Sequence, residues 1–240
     1  MKINKYILIM LAMICSLNSG IYAATQKTLE KANNDSGDIS SLQRGARNFM
    51  NYCSGCHSAE YIRYDVIGED LGISQSQLKR YLMFNTQQSF DTINTSMEME
   101  DAAGWFGQAP PDLSLMARAK STDYVYTFLK SFYVDSSSPT GVDNSILVGT
   151  SMPNVLWELQ GHQEYINDES GYGYLEIAIP GKMSEEDFNS FLRDTVNFLE
   201  YISEPIKNER QALGIKVLIF LAFFLVLAYF LKKEIWKEVK

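Results

Sequence analysis

Apolar residues run uninterrupted near both ends of the chain and in helical stripes between them. The first run, Ile7 to Leu17, follows Lys2 and Lys5 and leads into Ser19, Gly20, Ala23 and Ala24. A basic start, a short apolar stretch and a small-residue exit make a secretory signal, so residues 1–23 are expected to be removed by cleavage near Ala23. The second run, Val217 to Leu231, lengthens to 213–231 when Lys216 reaches its ammonium to the interface. At about 1.5 Å per helical residue that segment spans a hydrocarbon core of roughly 30 Å. Lys232, Lys233, Lys237 and Lys240 come next, which by the positive-inside tendency places tail 232–240 in the cytoplasm and the preceding domain outside.

Between the runs the pattern predicts a mainly α domain over 40–204, after a polar, loop-like segment 24–39. Ser40 with Gln43 reads as a capping box opening a helix through Phe49 towards Cys53, and Ser74 with Gln77 reads as a second. A third helix starts at Ser121, with Val125, Phe128, Leu129 and Phe132 on one face, expected to be a core stripe. Ser184, followed by Glu185, Glu186 and Asp187 where the helix dipole favours acids, opens a fourth. Its Phe188, Phe191, Leu192, Val196 and Leu199 face inward, and its packing on the first helix is expected to close the domain. Asp135 to Pro153 is loop-rich, and Tyr172 to Ile179 is the one segment that alternates like a strand. Pro205 and its polar neighbours predict a stem at 205–212 before the membrane helix.

Composition changes this picture in one respect. The formal charge of the 240 residues is −8, and loss of Lys2 and Lys5 with the signal makes it −10. So acidic an exported domain argues against nucleic acid, whose phosphates need cations, and favours a basic partner.

The cysteines supply the chemistry. Cys15 leaves with the signal, and the other two stand in Cys53-Ser54-Gly55-Cys56-His57, the attachment pattern of haem c. Two thiols one helical turn apart can add to the two vinyl groups of a haem, and the adjacent imidazole is carried to the iron. Zinc would want four ligands, yet only His57 and His162 accompany the pair, and no βαβ pattern suggests a redox disulfide. A sixth iron ligand could come from Met50, Met83, Met97, Met99, Met116, Met152, Met183 or His162. Met152 stands out because it lies between Gly149-Thr150-Ser151 and Pro153, a loop able to hold a thioether rigidly.

Longer stretches carry a resemblance. Leu42-Gln43-Arg44-Gly45-Ala46, Trp105-Phe106-Gly107-Gln108-Ala109-Pro110-Pro111-Asp112-Leu113-Ser114, Ala117-Arg118-Ala119, Asp123 to Thr127, Pro139-Thr140-Gly141, Met152 to Trp157 and Leu231 to Trp236 are similar to the cytochrome c1 family, the haem subunits of cytochrome bc1 complexes. The resemblance implies a cytochrome c-like haem domain with one covalent haem c, held by Cys53 and Cys56 and ligated by His57 and Met152. It further implies a propionate contact from Arg118, a second contact from Tyr124, and a pocket wall at Pro110 and Pro111.

The function implied is electron transfer: one electron from the Rieske iron-sulfur protein to this haem and on to a cytochrome c, with cytochrome b handling the quinol. Implied too are a dimeric complex, a bacterial inner membrane and a periplasmic haem domain. Nothing in such a subunit needs to act as acid, base or nucleophile. Glu98, Glu100 and Asp101, or Glu185 and Glu186, are candidates for attracting the basic partner. A different membrane-anchored cytochrome c feeding a terminal oxidase would share haem, ligands and anchor, whereas an enzyme or sensor would leave the iron open.

Overall fold

The computed structural model describes residues 28–167 and 173–237. The expected signal peptide, Tyr172 and the last three residues lie outside that range.

An extended segment, residues 28–38, leads into helix α1 (Ile39–Tyr52). The cap is Asp38, whose carboxylate accepts from the Ser41 N–H, so the expected capping box at Ser40 does not form. Gln43 is used elsewhere: its amide donates to the Leu71 carbonyl at 2.7 Å. Strand β1 (Ala59–Arg63) and helices α2 (Tyr64–Asp70) and α3 (Gln75–Tyr81) follow. On α3 the Ser74/Gln77 capping box is complete in both directions. Strand β2 (Thr92–Ile93) pairs antiparallel with β1, and helices α4 (Met99–Phe106), α5 (Met116–Lys120) and α6 (Thr122–Lys130) come next. Ser121 caps α6 as expected, but Phe132 lies beyond it in strand β3 (Phe132–Val134), which pairs with β4 (Val142–Asn144).

A single-turn α7 (Trp157–Gln160) leads to a hairpin of β5 (Gly161–Asn167) and β6 (Gly173–Pro180). The sequence pattern gave one strand where the described residues hold three antiparallel pairs. The missed strands are short or half-buried, so their period of two is masked by polar positions such as Gln163.

Helix α8 (Glu185–Ser203), capped by Ser184, crosses α1 and buries Phe188, Phe191, Leu192, Val196 and Leu199. Gly45 permits the close approach, because a Cβ there would sit 2.1 Å from the Asp194 carbonyl oxygen and 2.7 Å from Phe198 Cβ. The crossing is stitched by polar groups. Arg44 grips Asp194 with Nε (2.5 Å) and Nη2 (2.9 Å), Ser41 Oγ donates to Asp194 (2.7 Å), and Asn48 Nδ2 donates to Thr195 Oγ1 (3.1 Å). Residues 28–34 form a strap across α6 and α8: Ala32 N–H donates to Asp123 (2.9 Å), Glu30 N–H to Thr127 (2.9 Å), and Arg193 Nε to the Ala32 carbonyl (3.0 Å).

After three residues the chain enters α9 (Lys207–Ile235), which has an 18-residue window of mean hydropathy 2.5 and no buried residue. It is long and apolar enough to cross a membrane. The residues read as a stem are helical from Lys207 onward and continuous with the apolar segment.

Candidate haem site

The last turn of α1 winds directly into a tighter one. Cys53 and Ser54 N–H groups both donate to the Phe49 carbonyl, and Cys56 and His57 N–H groups both donate to the Cys53 carbonyl at 3.0 and 2.9 Å. This winding brings both thiols and the imidazole to one wall of a cavity of about 280 Å³. Thr95 Oγ1 closes the turn from outside by donating to the Gly55 carbonyl (2.9 Å).

Segment 110–114 runs beside β1 and fixes the histidine. Asp112 accepts from Glu60 N–H (2.9 Å), Ser114 Oγ accepts from Tyr61 N–H (3.1 Å), and Leu113 N–H donates to the Ser58 carbonyl (2.8 Å). The Pro111 carbonyl thereby sits 2.7 Å from His57 Nδ1. A carbonyl only accepts, so Nδ1 carries the proton and the lone pair is left on Nε2, the nitrogen able to bind a metal. Burial pulls the His57 pKa below the ordinary imidazole range, against the opposing pull of the Pro111 bond and Asp112, which favours the neutral, metal-binding form. Burial pushes the Cys53 thiol up to about 12 and also raises Cys56, so both are uncharged against the apolar wall.

The opposite wall is a loop organised by two buried side chains. Asp143 Oδ1 accepts from the Asn144 and Gly149 N–H groups (2.7 and 2.8 Å), while Asn144 Oδ1 accepts from Ile146 and Leu147 (2.9 and 3.2 Å). Asn144 Nδ2 reaches the Phe128 carbonyl (2.8 Å), which ties the loop to α6. Gly149 supplies the positive φ of 76° that turns the chain towards Met152. Of the eight candidate sixth ligands only Met116 and Met152 line the cavity. Met50 and Met83 are buried in the core, Met99 is exposed, and His162 stacks on Trp157 at 5.2 Å. Met116 shares its segment with Pro111, the anchor of His57, whereas Met152 arrives on the separate distal loop.

Tyr124, Pro110 and Pro111 line the cavity. Arg118 does not: it is exposed on α5, and its charge acts on Glu204, which is held below the usual carboxylate range chiefly by Arg210. The cation in the wall is Lys120, with its Nζ 5.8 Å from the Tyr124 ring centre. Helix geometry gives the reason. Met116 and Lys120 are four residues apart and share a face, while Arg118, two residues from each, points away. That spacing was readable in the sequence. Val125, Phe128 and Leu129, expected only as core, also form wall, as do Phe191, Thr195 and Leu199 of α8.

The donor set fits a covalently bound haem. Paired thiols, an oriented imidazole and a thioether converge on an apolar cavity with one cation in its wall. The description "Cytochrome C1 family" matches residues 30–239. The chain belongs to the cytochrome c1 family. It is 45% identical to a cytochrome c1 of Allochromatium vinosum over 88% of this chain and 89% of that one. It is also 40% identical, over the full length of both, to a protein of Nitrosomonas europaea named ammonia monooxygenase gamma subunit. A cytochrome c1 of Rhodospirillum rubrum is more distant, at 27% over 85% of this chain and 83% of that one. The cytochrome c1 match thus takes in the haem motif, the distal loop and the apolar helix together.

Proposed function

We propose that this chain is the haem-bearing subunit of a quinol–cytochrome c reductase, accepting single electrons from a Rieske iron-sulfur protein and delivering them to a cytochrome c. Cytochrome b performs the quinol chemistry in the dimeric complex. The haem domain lies in the periplasm of a bacterial cell, anchored in the inner membrane by α9 with its C-terminus in the cytoplasm. The observation that carries this reading is the convergence of Cys53, Cys56, His57 and Met152 on one apolar cavity in a chain of this family.

Haem c, when bound, supplies a one-electron iron couple. The residues around it hold and tune. Cys53 and Cys56 would anchor the group, beside His57 held in one tautomer by the Pro111 carbonyl. Met152 would offer a thioether to the group from the opposite wall, a ligand that favours ferrous iron and raises the potential. Lys120 and Tyr124, neighbours in the cavity wall, would meet a propionate, which is costly to bury unpaired. Phe128, Leu129 and Leu156, apolar residues of the wall, would keep water from the iron.

Membranes carrying the full chain test the reading. Quinol is expected to reduce a covalently attached haem in this polypeptide through a co-purifying cytochrome b, and a cytochrome c is expected to reoxidise it. A colourless chain with both thiols open to alkylation would sink it. Comparing Lys120→Gln with Arg118→Gln by redox titration identifies the propionate cation, with the larger shift expected at Lys120.

A second reading comes from the full-length match to the ammonia monooxygenase gamma subunit: a haem subunit associated with a monooxygenase. Recovery of the chain with monooxygenase subunits in place of cytochrome b would select it.

A further inference from the structure

The cavity wall is largely apolar, and its polar members differ in burial. Gln108 and Lys120 are exposed, whereas Asn48 of α1 and Thr195 of α8 are only 3% and 2% exposed. A polar side chain closed off to that degree is costly unless it is bonded, and an aliphatic one would fill the same place without that cost. Packing of α1 on α8 accounts for half of the pair's chemistry. Thr195 Oγ1 donates to the Phe191 carbonyl at 2.8 Å, so its proton is spent and it accepts from Asn48 Nδ2 at 3.1 Å. Asn48 Nδ2 donates to the Phe191 carbonyl as well, at 3.3 Å. Both partners accept, which fixes the amide with its nitrogen turned to α8.

The oxygen is what the helix crossing leaves unexplained. Nothing at the crossing donates to Asn48 Oδ1, yet it is not sealed among packed atoms: among the described residues, the buried polar side-chain atoms without a partner are Gln160 Oε1 and Asn189 Oδ1. Asn48 lines the cavity, so its oxygen is the end that opens there.

We propose that Asn48 is a potential-setting residue, turning the negative end of a fixed amide dipole to the space a haem would fill and so holding the reduction potential of its iron down. The inference rests on the haem-bearing function proposed above and names what limits the potential within it. Ferric iron carries one more positive charge than ferrous, so a carbonyl oxygen facing it favours the oxidised state, and apolar surroundings screen that preference weakly. The direction opposes the lift expected from the Met152 thioether. Thr195 is the positioning residue of the pair: its hydroxyl holds the amide nitrogen on α8, so the two ends of the amide do not exchange.

The test is a redox titration of the full-length, haem-loaded chain in its native membranes. Asn48→Leu keeps the shape of the side chain and removes the dipole, so the potential is expected to rise, increasing the ferrous-to-ferric ratio at a fixed ambient potential about threefold. Haem content and the absorption spectrum should be unchanged. A merely structural role moves the potential the other way, because a loosened wall admits water, which favours the more highly charged ferric state. Thr195→Val frees the amide to turn and should give a smaller rise, while Thr195→Ser keeps the hydroxyl and should retain the unmodified potential. An unchanged or lowered potential in haem-loaded Asn48→Leu would overturn the assignment. If that variant does not accumulate, the same result in Thr195→Val overturns it. If the unmodified chain carries no covalent haem, the proposed function fails and this inference with it.

Discussion

The α1–α8 crossing and the distal loop hold opposite sides of one cavity by different means. At the crossing, two helices approach over Gly45 until their backbones nearly touch, with Leu42, Phe49, Leu192 and Phe198 interlocked and Arg44–Asp194 stitched beside them. In the distal loop little apolar surface is available. Asp143 and Asn144 stand in for secondary structure by accepting the N–H groups that a helix or sheet would have satisfied. The first region supplies stability, and the second fixes where one methionine sits. A protein can thus separate the stability of its domain from the placement of one side chain in the cavity wall.

Substitutions can break that division, and the largest effect is expected at the crossing. Gly45→Ala drives a Cβ into backbone as well as side chain, so about 3 kcal/mol of stability should be lost, seen as a lower Tm and poor recovery of haem-loaded protein. Asn144→Ala strands buried partners in the loop and on α6 and should cost about 2 kcal/mol. Its distinguishing result is coloured protein with disturbed axial ligation, read as carbon monoxide binding by the reduced form. Met152→Leu conserves volume and should cost less than about 1.5 kcal/mol, yet lower the potential and open the iron to carbon monoxide. If Met152→Leu leaves the potential unchanged, Met116 becomes the ligand to test.

The smallest effect sharpens the comparison at the strap. Asp123 is held below the usual carboxylate range by the Lys31 ammonium, with help from the Ala32 N–H. A depressed folded-state pKa contributes stability above the unfolded-state value of about 4, and that contribution is lost as pH falls through the lowered value. Acidification should therefore speed hydrogen exchange at residues 28–34 before the α1–α8 crossing responds. Because the Lys31 partner is exposed and an Asn at 123 can still accept from the Ala32 N–H, Asp123→Asn should cost under about 1 kcal/mol.

The sequence revealed what depends on local chemistry. Cys53, Cys56 and His57 follow from spacing, and Ser74, Ser121 and Ser184 cap the helices expected of them. Met152 stood out as a loop methionine before a proline and stands in the cavity wall. What was hidden depends on tertiary partners. Asp38 caps the helix in place of Ser40 while Gln43 reaches out to Leu71, and no local rule announces that bond. The scaffold role of Asp143 and Asn144 was invisible because polar residues in a loop look alike whether solvated or buried. Lys120 was the exception: helix geometry alone would have preferred it to Arg118 at the cavity.

The corner between α8 and α9 is only three residues long, and two ion pairs span it, Lys207–Glu200 at 2.6 Å and Arg210–Glu204. So short and braced a joint gives the haem domain little freedom to swing above the bilayer. On the proposed function the cavity would stay at a fixed height and bearing, and any travelling between donor and acceptor would fall to the proteins that visit it.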